Sequence, residues 1–94
     1  MFNRKKRLSQ AHKMLAVDVA KDLFPKSGGN RVEFERLLRA DNRVKMIDPM
    51  LIILFIRVAM LVFEYFRNKP VSGVTAVNET NEDIYTNSLK YEDE

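Results

Sequence analysis

The 94-residue chain has no cysteine and a single histidine, which excludes disulfides and thiolate metal sites and leaves too few ligands for a structural zinc. Its net charge of +3 hides a gradient. Residues 1–48 hold 12 Lys/Arg against 6 Asp/Glu, while residues 70–94 hold one lysine against six acids. One domain at most is expected. A chain of this size buries a modest share of its surface, so a partner, a membrane or a second copy is expected to cover part of the rest.

The basic cluster Arg4-Lys5-Lys6-Arg7 is a candidate for the phosphate groups of lipid or nucleic acid. No aromatic stacking set or nucleic-acid fold signature accompanies it, so nucleic acid is not the favoured partner and a solvated terminus is the plainer reading. No apolar stretch of signal-peptide type follows, so no secretory signal is expected. Leu8, Ala11, Leu15, Val19 and Leu23 then recur at helical spacing and predict an amphipathic helix over about 5–24. Val17 interrupts its polar face. His12 lies in the apolar stripe without a second histidine, so neither a metal nor a catalytic role is assigned to it.

"FPKSGGN" is expected to stop this helix at Phe24, because Pro25 disfavours helical backbone at the residue before it. Residues 27–30, "SGGN", read as a linker, since a phosphate loop would need a preceding strand and a closing GK[ST]. Asn30 with Glu33 three residues later forms a capping-box pattern, and a second amphipathic helix is predicted over 31–40, with Phe34, Leu37 and Leu38 as its apolar contacts. "VKMI" (44–47) is expected to be a short extended connector.

Asp48-Pro49 is a strong helix start: the aspartate caps free amides, and proline suits the first helical position, where no amide bond is lost. Arg67, Lys69 and Pro70 mark the other end. The helix predicted over 49–68 is about 30 Å long at 1.5 Å per residue. Between Met50 and Phe66 only Arg57 and Glu64 are charged. Met50, Arg57 and Glu64 share a face with Ile53, Leu54, Met60 and Leu61, so the helix is apolar nearly all round.

Such a helix suits either a bilayer or a protein interior. On an insertion scale its eleven Leu/Ile/Val/Phe residues contribute roughly −3 to −7 kcal/mol, and a central arginine takes back about 2.5 to 3.5 kcal/mol, so insertion is close to balanced. Inside protein, Arg57 would require an acidic group opposite it, because an unpaired buried charge is costly.

After Pro70 the composition turns polar and acidic. Residues 70–94 are expected to be irregular in isolation or docked on a partner, with a short strand at "VTAV" (74–77) and with Ile84, Tyr85, Leu89 and Tyr91 as docking contacts. The sequon Asn78-Glu79-Thr80 carries no weight without a secretory signal.

The fold expected is therefore all-α: a helical domain over 1–69, with two amphipathic helices and one long hydrophobic helix, then an irregular acidic tail. No Ser/His/Asp, Cys/His or paired-carboxylate pattern is present, so no catalytic, cofactor-binding or metal residue is expected. The function expected is that of a non-enzymatic structural or interaction protein, a small helical subunit of a larger assembly such as a virion. It would pack through Leu51, Phe55, Val58, Val62 and Phe66, with Arg57 and Glu64 as the charges that meet another copy or an acidic partner. A single-pass membrane protein (anchor, regulator or holin-like) is the alternative, and an anionic-surface or nucleic-acid module using Arg4–Arg7 is the weaker one. Localisation follows as a membrane or a large assembly.

Overall fold

The computed structural model of the chain describes residues 8–68 and 79–92. Among these residues the fold is all-α, with no strand. Its elements are α1 (Gln10–Ser27), α2 (Arg31–Ala40), the single turn α3 (Asn42–Lys45), α4 (Pro49–Asn68), α5 (Asn81–Ser88) and a 3-10 turn (Leu89–Tyr91). The expected strand at 74–77 and the basic cluster at 4–7 lie outside the described residues.

α1 begins at Gln10 because Ser9, in extended backbone, turns its hydroxyl to accept from the amide of His12 at 3.2 Å. The expected stop at Phe24 is corrected: the helix runs through Pro25 to Ser27. The proline costs the helix the amide bond it would have donated and crowds the carbonyl one turn back, and the helix continues only two residues beyond it. What ends the helix is Gly28, at φ 66°, whose amide donates back to the Pro25 carbonyl at 3.2 Å.

α2 has the predicted bounds, and its cap is Asn30, whose Oδ1 accepts from the Glu33 amide at 2.9 Å. The stretch expected to be extended after it is corrected. Asp41 ends α2 and caps α3, accepting from the Arg43 amide at 2.8 Å. The turn buries Val44, and Ile47 is buried just after it, so two residues of the connector join the core. α4 starts as predicted: Asp48 Oδ1 accepts from the Met50 amide at 2.9 Å, with Pro49 as the first helical residue.

α4 packs most extensively on α1 and touches α2 and α5 as well. Phe63 is the hub. Its ring centroid lies 5.4 Å from that of Phe24 in α1 and 4.7 Å from that of Phe34 in α2. Phe55, Ala59, Val62 and Phe63 are fully buried, with Ile56, Val58 and Leu61 nearly so. α4 is long and apolar enough to cross a membrane, and 44% of its most apolar 18-residue window is buried inside the chain itself.

The acidic tail is the largest correction. Residues 81–91 are helical and lie against α1 and α4 of the same chain. Thr80 caps α5 by accepting from the Asp83 amide at 3.0 Å, and Ile84 and Ser88 are buried beneath it. Asn81 fixes the angle of approach. Its amide nitrogen donates to Asp18 Oδ1 at 2.7 Å, and its oxygen accepts from Lys21 Nζ at 2.9 Å. Lys13 stands over the Tyr85 ring at 5.2 Å. This docking explains Val17, the residue that interrupts the polar face of α1. Met14, Val17, Asp18 and Lys21 fall on one helical face, α5 covers that face, and Val17 is fully buried.

A candidate protein-docking groove along α4

With one side of α4 committed to the core, its other side is set by the helical repeat. Met50, Ile53, Arg57, Met60 and Glu64 follow one another at spacings of three and four, so they form one stripe. Met50 and Ile53 are 67% and 71% exposed, and Met46, just before the helix, is 85% exposed. These are large apolar side chains left in water, in line with Arg57, which is itself exposed.

Beside the stripe runs a groove of about 700 Å³. Ile53, Ile56, Met60 and Leu61 supply its apolar surface, Arg31 of α2 and Glu64 stand toward one end, and Tyr91 of the 3-10 turn contributes from the C-terminal segment. Arg57 lines this groove and also a smaller one of about 260 Å³, with Lys13, Tyr85 and Glu92. The guanidinium therefore stands where two depressions meet.

The electrostatics are uneven along the stripe. Glu64 is well supplied with cations: Arg31 Nη1 donates to its Oε2 at 2.9 Å, and Arg67 Nη2 lies 3.4 Å from its Oε1. Arg57 has no ion-pair partner among the described residues. Glu92 lines the smaller groove with it without coming within ion-pairing distance. The lining of the larger groove holds two arginines, Arg31 and Arg57, and one carboxylate, Glu64, which Arg67 also approaches.

The residues expected to carry assembly fall into three groups. Phe55, Val58 and Val62 lie in the chain's own core, and Leu51 and Phe66 are partly buried against it. That face is occupied within the chain and is not offered to a partner. Glu64 is satisfied by Arg31 and Arg67. Arg57 alone keeps the standing it has in the sequence, as a charge in want of an acid, although at a surface and not in an interior.

Met46, Met60 and Arg31 are not among the interaction residues expected from sequence, whereas Tyr91 is one of the docking contacts expected of the tail. The 3–4 spacing of the stripe is the signal for Met60. Arg31 is brought in from α2 and has no local signal. Among the described residues, no cluster of His, Asp and Glu could hold a metal ion. Comparison with protein families, with curated proteins and with solved structures finds no match to the chain.

Proposed function

We propose that the chain is a non-enzymatic interaction subunit that joins a larger assembly through the outward stripe of α4. The observation that carries this reading is the stripe itself. Two large apolar side chains more than two-thirds exposed, Met50 and Ile53, lead along the stripe to an arginine without an ionic partner among the described residues, and Ile53 and Arg57 line a groove. A water-facing helix in a solitary domain would ordinarily place polar residues there. Covering the stripe would remove Met50 and Ile53 from water and give Arg57 a carboxylate.

The membrane-spanning alternative is less well supported. The core-facing residues of α4 already have protein neighbours, Phe24 and Phe34 among them. Insertion would strip those neighbours away and leave the apolar faces of α1 and α2 without cover.

The test uses the tagged full chain with Ile53→Asp and, as a control on the outer face of α5, Thr86→Lys. A partner recovered in fixed stoichiometry with the wild type and with Thr86→Lys, and lost with Ile53→Asp, is the expected result. Retention of the chain in membranes after a carbonate wash, or a partner insensitive to Ile53→Asp, would overturn the proposal.

A further inference from the structure

Building on that reading of the α4 stripe, we infer that the groove receives an amphipathic helix of another protein carrying two carboxylates about two turns apart. The inference rests on three features of the site: its charge, its shape and its spacing.

Charge decides first against a second copy of this chain. Packing two such grooves face to face would add a second Arg57 with no free carboxylate in the groove lining to pair it, because each Glu64 is already shared between Arg31 and Arg67. Like charges held together at an interface disfavour association. An acidic partner meets the same arginines with complementary sign.

Shape selects the kind of partner. No strand edge is offered among the described residues, so an extended segment has no backbone ladder to join. The groove is instead a furrow beside one helix, with Ile56 and Leu61 sunk to 8% and 9% exposure. A helical ridge can reach such a floor, whereas a flat lipid surface cannot.

Spacing then sets the partner's pattern. Glu64 lies seven residues after Arg57, about 10 Å along the axis at 1.5 Å per residue. Arg31 and Arg67 both stand at Glu64 and leave positive charge in excess there, so it and Arg57 make two cationic positions about 10 Å apart. On a facing helix, carboxylates at i and i+7 match that separation. Apolar residues at i+3 and i+4 then fall over Met60 and Leu61. The aspartate or glutamate at one end would pair with Arg57, and the one at the other end with the Arg31/Arg67 excess.

The experiment is a display selection of randomised amphipathic helical peptides against the immobilised full chain. Affinities of the enriched peptides are then measured by fluorescence anisotropy. Enrichment of acids at i and i+7 around an apolar pair is expected. Arg57→Glu should weaken the best peptide on the order of 10-fold or more, and a peptide with lysine at the matching position should regain binding to that variant.

Enriched peptides that are lost with Ile53→Asp but are neutral or basic would overturn this inference while leaving the docking reading intact. Failure to enrich any peptide, or binding insensitive to both substitutions, would overturn both. A tenfold gain in peptide affinity on changing Glu92, Asp93 and Glu94 to their amides would mean that the chain's own acidic stretch is the occupant. Arg57-dependent binding to phosphatidylcholine–phosphatidylserine vesicles, with no acidic peptide enriched, would replace the protein partner with a lipid surface.

Discussion

Arg31 and Glu64, 33 residues apart in sequence, are joined at 2.9 Å and tie the first turn of α2 to the last third of α4. The Glu64 side chain is 18% exposed and Arg31 57% exposed, so one member is largely sheltered and the other is wet. Removing the arginine leaves Glu64 with Arg67 at 3.4 Å. Arg31→Ala should therefore lower stability by only about 0.5–1 kcal/mol in urea denaturation. A loss of several kcal/mol would show that Glu64 depends on Arg31 far more than this geometry implies.

Phe63 carries a much larger share. It is fully buried and meets the rings of Phe24 and Phe34. Phe63→Ala should cost about 3–5 kcal/mol, through lost burial and the cavity left between three helices. An α4 that left the bundle to sit in lipid would make this substitution nearly silent in detergent-free buffer.

Acid should weaken the α1–α3 junction. Arg43 donates to Asp41 through Nε and Nη2, at 2.9 and 2.8 Å, and to Asp22 through Nη2 at 2.8 Å. The Arg43 guanidinium holds both carboxyls below their ordinary range, and Lys26 adds to the effect at Asp22. A depressed carboxylate contributes stability that is fully present above its unfolded value, about 3.9 for aspartate, and is lost as pH falls through the folded value. Stability should thus decline below about pH 4. Arg43→Gln should flatten that decline, which denaturation midpoints measured from pH 7 down to pH 2.5 would reveal.

Arg57 should matter little to folding. It is exposed and has no ionic partner among the described residues, so Arg57→Leu should shift stability by no more than about 0.5 kcal/mol. If the same variant loses its partner, the arginine serves association and not the fold. A large destabilisation would place Arg57 within the structure's own support.

Where the signals were local, the sequence was readable. Asn30 with Glu33 and Asp48 with Pro49 are caps made within four residues, and α2 and α4 begin where those residues require. The same grammar was present but faint elsewhere. Ser9 before Gln10, Asp41 before Asn42 and Thr80 three residues before Asp83 are all caps, and the last two are followed by short helices with few apolar positions. α5 shows why composition misled. Its eight residues bury only Ile84 and Ser88, and it is held by Asn81 reaching Asp18 and Lys21, 63 and 60 positions away. Arg57 shows the limit at the site. Its isolation in an apolar run was plain, but which side of α4 would face water depended on α1, α2 and α5 taking the other side. The pairing of Arg31 with Glu64 depended on the same packing.

The most direct test of the central claim is a methyl-resolved NMR titration of the full chain, in detergent-free buffer, with the tightest acidic peptide from the display selection. The methyl signals of Met50, Ile53 and Met60 and the Arg57 side-chain Nε–Hε resonance should shift together and saturate at one peptide per chain, while those of core Val62 stay nearly unchanged. Shifts centred on another surface, or no saturable shift at the stripe, would contradict the assignment of α4's outward face as the docking site.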